Sequence, residues 1–112
     1  MKKSEIKFDI TLDSTNLPET IKWEASDSGE PGQHDCKAVM LSMWDPKDNA
    51  TLRIDLWTKD MLVDDMKLFF HQTFVSMVNT FQRATGEEAL VKQMREFSHY
   101  LAEEMDLVDK KK

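Results

Sequence analysis

Glu96 and His99 have the Glu-x-x-His spacing that helical di-iron sites use. That chemistry needs a second such pair and further inward carboxylates. This chain supplies one pair, beside Met94, Phe97 and Leu101, which mark a core stripe, and Glu96 falls off that stripe. A solvated helix face accounts for it. His71 has a side chain suited to general-base or pH-switch duty. No carboxylate stands three or four residues away to orient its ring, so a satisfied boundary histidine is the simpler reading. An enzyme built on it would need Asp55 or Asp60 to converge on the imidazole. His34-Asp35-Cys36 are able metal ligands, but three adjacent residues do not easily form a tetrahedral site, and no Cys-x-x-Cys accompanies them. Asp45, Asp48, Asp60, Asp64 and Asp65 lack the order, glycine and terminal glutamate of a calcium loop, and suit turns and helix starts instead. Asn49-Ala50-Thr51 matches a glycosylation acceptor by coincidence of a turn. The glycines, at 29, 32 and 86, form no phosphate-cradling loop. The expectation is a chain with no catalytic residue, no cofactor and no metal, and so not an enzyme.

The elements that carry these residues fit one domain over positions 1–112, with strands within 4–58, helices within 61–107 and a disordered lysine tail at 109–112. A net charge of −6 repels phosphate backbones, and the basic clusters Lys2-Lys3 and Lys110–Lys112 sit at the ends, so no nucleic acid is expected. One cysteine, Cys36, fits a reducing compartment. Glu5, Lys7 and Asp9 interrupt any apolar run after Lys2-Lys3, and no stretch approaches the roughly 20 apolar residues of a membrane span. A cytoplasmic location without direct membrane insertion is the default.

Ile6, Phe8, Ile10 and Leu12 alternate with Glu5, Lys7, Asp9 and Thr11, the pattern of a half-buried antiparallel strand. Asp13 to Pro18 turns the chain, and Ile21, Trp23 and Ala25 alternate again. Asp27 to Asp35 reads as a loop. Residues 37–44 and 51–58 flank the turn Asp45–Asn49 as a hairpin of open register. An even register places Met40 and Trp44 beside Leu52 and Leu56; an odd one places Leu41 and Met43 there. From Met61 the period becomes helical, with Met66, Phe69, Phe70, Thr73, Phe74, Met77, Val78 and Phe81 on one broad side. Thr58 or Asp60 can cap that helix. Thr85 and Glu88 have capping-box spacing for a second helix with Leu90, Val91, Met94, Phe97, Leu101, Ala102 and Met105 as its stripe. Lys110–Lys112 would sit near its negative end. Strands followed by helices predict an α+β fold: a four-stranded antiparallel meander sheet with two C-terminal helices packed on one face.

An apolar surplus remains. Ala38–Trp44 is apolar on both alternating faces, and Leu68 and Val75 lie on the back of the first helix. Met40, Met43, Trp44, Trp57, Leu68 and Val75 are therefore the candidate interaction surface, with a protein partner or a second copy of the chain as its occupant. A homodimer would form through the outer face of the 37–58 hairpin. The alternative is a carrier of a small apolar ligand in a pocket between sheet and helices.

Lys3-Ser4-Glu5-Ile6-Lys7-Phe8, Leu41-Ser42-Met43-Trp44-Asp45, the run Thr51 to Met61, Phe69-Phe70-His71-Gln72-Thr73 and Arg83-Ala84-Thr85-Gly86-Glu87 resemble the GldC family of gliding motility proteins of the Bacteroidetes. The likeness runs from residue 1 to about 105 and is most specific through Met61. It implies a small cytoplasmic component associated with the gliding machinery, with no enzymatic activity, cofactor or catalytic residue to transfer.

Overall fold

The computed structural model describes residues 2–108; the lysine tail expected at 109–112 lies outside them. The chain divides between Met61 and Leu62 into two compact units. The first holds five strands: β1 (Ile6–Leu12), β2 (Pro18–Ala25), β3 (His34–Cys36), β4 (Ala38–Asp45) and β5 (Ala50–Trp57). The second holds α1 (Val63–Thr85) and α2 (Glu88–Glu104).

All strand pairings are antiparallel, as the absence of βαβ alternation predicts. The single four-stranded meander is replaced by two sheets, β1-β2-β3 and β4-β5. The cause is a break at Lys37. The extended segment from His34 to Asp45 gives residues 34–36 to β2 and residues 38–45 to β5. At the break the Lys37 carbonyl accepts the Thr58 N–H at 2.8 Å, and the Lys59 N–H goes to the Pro18 carbonyl at 3.0 Å. The two residues after β5 thus bond to the break and to the first residue of β2. His34 and Asp35, expected in a loop, belong to β3.

In the first sheet Phe8 stands opposite Trp23, Ile10 opposite Ile21, and Cys36 and His34 opposite Ile21 and Trp23. Directly opposed residues share a face. Ile21, in the middle strand, is 1% exposed and anchors that face. On the other face Lys7 opposes Glu24, and Lys22 opposes both Asp9 and Asp35, so unlike charges meet across the ladder.

The turn after β1 is organised by Asp13. Its Oδ1 accepts the Thr15 N–H at 2.8 Å, the Thr15 hydroxyl at 2.7 Å and the Leu17 N–H at 3.0 Å. Its Oδ2 meets Lys59 Nζ at 3.1 Å. Asn16 takes φ 65°, a conformation asparagine tolerates in turns.

In the second unit Gly86 ends α1 in the left-handed region at φ 69°, donating its N–H to the Gln82 carbonyl. The expected caps differ. Leu62 takes the cap position of α1 and has no side-chain oxygen to offer; the Thr58 hydroxyl donates to Asp60, and Asp60 holds Lys37. The Thr85–Glu88 box is also unmade. Thr85 Oγ1 donates to the Phe81 carbonyl and accepts the Glu87 N–H, while the Glu88 carboxylate takes the Gln82 amide.

The Thr15 hydroxyl first, then the Leu17 N–H and Lys59, holds the Asp13 carboxyl well below the usual carboxylate range. The folded chain therefore favours ionised Asp13 more than the unfolded chain does. The resulting stability is full above an ordinary aspartate pKa of about 3.9 and is lost as pH falls toward the lower folded value. Thermal melts of Asp13→Asn should lie below wild type at neutral pH, with the gap narrowing below about pH 4.

Candidate functional site

The β4–β5 register is the odd one. Val39, Leu41 and Met43 oppose Leu56, Ile54 and Leu52. Ala38, Met40, Ser42 and Trp44 oppose Trp57, Asp55, Arg53 and Thr51. The candidate residues therefore separate. Met40, Trp44 and Trp57 share one face, and Met43 lies on the other. Trp44 is 63% exposed and Trp57 53%, at opposite ends of their face; Met40 between them is half-buried.

The middle of that face is bridged by side-chain hydrogen bonds. The Arg53 guanidinium donates to both Asp55 oxygens, at 2.7 Å and 3.3 Å, and also to the Ser42 hydroxyl. This fork fixes the long side chain between the two indoles and ties β4 to β5 across the ladder. Exposed pairs of this kind contribute roughly 0–1 kcal/mol, so the fork's main effect is orientation. The result is a face with an aromatic ring at each end and an ion pair between.

The helical candidates also separate. Leu68 is exposed. Val75, expected on the open back of α1, is half-buried. It shares a helix face with His71 and Val78. His71 Nε2 donates to the Ser98 carbonyl of α2 at 2.9 Å, and Val78 is 2% exposed. The side of α1 facing α2 thus takes one flank of the broad stripe seen in the sequence, Val78, together with the line of His71 and Val75 beside it. Arg95 closes the same seam, donating to Asn79 Oδ1 at 3.1 Å and Gln82 Oε1 at 2.8 Å. Sequence reasoning missed that clamp; its signal was Asn79 and Gln82, three residues apart on one helical line. The rest of the stripe lies beside the seam. Phe74 meets Phe97 edge-on at 6.0 Å, while Phe70, Met77, Leu90 and Phe97 stay exposed. Phe70 and Met77, which the spacing places on the broad apolar side, are therefore open.

The chemistry-bearing residues are engaged one by one. His34 Nε2 donates to the Glu30 carbonyl at 3.1 Å, and its ring lies 4.9 Å from Trp23. His99 pairs with Glu103 at 2.8 Å, not with Glu96. Burial pushes the Cys36 thiol up, so it stays protonated. Among the described residues no three His, Cys, Asp or Glu side chains gather as metal ligands, and no helix is long and apolar enough to cross a membrane. An open groove of about 550 Å³ runs along α2. Lys92 and Arg95 are mixed there with Glu88 and Glu96, so it selects neither sign of charge.

A family model described as gliding motility-associated protein GldC-like matches residues 18–107. Neither the curated proteins nor the solved structures gave a match.

The contrast between seam and face sets a stability test. In urea titrations Val78→Ala should lose about 2 kcal/mol, because it opens a cavity in the helical seam. Trp44→Lys should lose less than about 1 kcal/mol, as expected of an exposed position. Equal losses would show that Trp44 is structural.

Proposed function

The chain belongs to the GldC-like family of gliding motility-associated proteins, and on that premise we propose that it is a non-catalytic, cytoplasmic accessory protein of the gliding machinery. It acts through protein contact, and the contact is made by the β4–β5 face bearing Trp44 and Trp57. The observation that carries this reading is the pair of half-exposed tryptophans flanking the hydrogen-bonded Arg53–Asp55 fork. Tryptophan and arginine dominate the energetics of protein interfaces, and a side chain already held in place loses less entropy on binding. The separate engagement of His34, His71 and His99 supports a role without catalysis. The free thiol supports a reducing compartment.

Gliding of a strain lacking this chain tests the proposal. Wild type should restore movement. Trp57→Lys should accumulate to the same level, keep its melting temperature within a few degrees and fail to restore movement. Full restoration by Trp57→Lys would remove this face from the function.

A further inference from the structure

The β4–β5 hairpin has open edges as well as open faces. The bond from the Thr58 N–H to the Lys37 carbonyl sets the phase of the ladder: Lys37, Val39, Leu41 and Met43 direct their backbone groups at β5. By alternation Met40, Ser42 and Trp44 direct theirs outward, and among the described residues these groups have no backbone partner. A two-stranded ribbon is marginal by itself and gains from a third strand. Edges are normally protected by charge or proline. β1 carries Lys7 and Asp9, and β5 carries Arg53 and Asp55. From Ala38 to Trp44, β4 carries neither charge nor proline.

We propose that the outer edge of β4 pairs antiparallel with β4 of a second copy of this chain, about a two-fold axis at Leu41, giving a continuous sheet β5-β4-β4-β5. The occupant follows from the strand's self-complementarity. With the axis at Leu41, Met40 exchanges backbone bonds with Ser42 of the second copy. The small Ala38 lies opposite the large Trp44, Val39 opposite Met43, and Leu41 opposite itself. Lys37 then faces Asp45 of the second copy, so the run ends in unlike charges on both sides. A two-residue shift to an axis at Ser42 would set Met40 against Trp44 and Val39 against Asp45, losing that match. Isologous pairing of this kind is closed and stops at two copies. The inference deepens the reading of the hairpin as an interaction element, but it uses the edge of β4, not the Trp57 face.

Sedimentation of the full chain over micromolar concentrations provides the first measurement, with a dimer expected. Ser42→Pro removes an outward N–H without touching the β4–β5 ladder, a position where an edge strand tolerates proline. It should raise the dimer Kd by about tenfold or more, the equivalent of ~1.4 kcal/mol. Ser42→Ala, which loses only the hydroxyl that Arg53 reaches, should remain dimeric. A second test does not depend on Ser42→Pro folding. In a Cys36→Ser background, Leu41→Cys should oxidise to a disulfide-linked dimer, since non-hydrogen-bonded antiparallel neighbours have Cα atoms about 4.5 Å apart. Met43→Cys, which faces Val39 of the second copy, should not. A monomeric wild type overturns the proposal, as does a dimer that persists in folded Ser42→Pro or crosslinks at Met43→Cys rather than Leu41→Cys. These failures leave the gliding reading standing; restored gliding by Trp57→Lys would overturn that reading and leave the dimer intact.

Discussion

The two sheets of the first unit depend on how the chain handles Lys37. One strand cannot lie flat against both β2 and β5 once its two halves turn apart, and a turn in a strand leaves backbone groups without partners. Thr58 and Lys59 supply those partners. The Thr58 N–H takes the Lys37 carbonyl, and the Lys59 N–H takes the Pro18 carbonyl. Thr58 is 3% exposed, and its hydroxyl donates to Asp60 at 2.6 Å, so the buried oxygen is satisfied. Asp60 in turn binds Lys37 at 3.2 Å, and Lys59 binds Asp13 at 3.1 Å. Three successive residues, Thr58, Lys59 and Asp60, thereby join the break, the start of β2 and the turn after β1. The side-chain pairs are exposed and individually weak. The two backbone bonds carry the geometry, and the charges hold them in place.

This junction explains which parts of the fold were legible in the sequence. The alternation of Ile6 to Leu12 against Lys7 and Asp9 is local, and it identified β1 because a period of two needs no knowledge of distant partners. The helical stripe from Met66 to Phe81 was legible for the same reason. The split at Lys37 was not. It depends on Thr58 reaching back 21 residues and on Lys59 reaching Pro18, and neither contact leaves a periodic trace. β3 was unreadable in kind: His34 and Asp35 have poor strand propensity, and only pairing with Trp23 and Lys22 makes them a strand. The caps failed for a related reason. Thr58, Asp60 and Thr85 had the right types, but the helices start later than their spacing implied: Leu62 and Glu87 take the cap positions, and Thr85 is still the last residue of α1.

Periodicity picked out the apolar surplus of the hairpin but could not divide it between faces. Met40, Met43, Trp44 and Trp57 were recognisable as surplus because a half-buried strand needs apolar residues on one side only. Which of them stand together is a matter of register, and a slip of one residue exchanges the faces. The observed register groups Met40 with the tryptophans and sends Met43 across. On α1 the stripe's strength was misleading. Large aromatic residues dominate any hydrophobic pattern, yet the seam with α2 takes only one flank of the stripe, through Val78 and Phe74, and polar groups extend it, with His71 bonding Ser98 and Arg95 bonding Asn79 and Gln82. Directional bonds can seat two helices on one flank of a broader apolar pattern.

Charge connects the hairpin to the proposal that two copies meet there. Two chains of net charge −6 repel, and at physiological ionic strength that repulsion is screened beyond about 8 Å. What matters for close approach is therefore the charge within one strand's width of the contact. Along the polar face of β1-β2-β3, carboxylates and ammonium groups alternate and would have to be desolvated by any partner. Along β4 from Ala38 to Trp44 there is nothing ionic to desolvate, and the first charges met beyond it, Lys37 and Asp45, are of opposite sign. An antiparallel two-fold places those opposite signs together, whereas a parallel arrangement would place like against like. The same uncharged run that leaves the edge unprotected therefore selects the orientation in which a second copy can cover it.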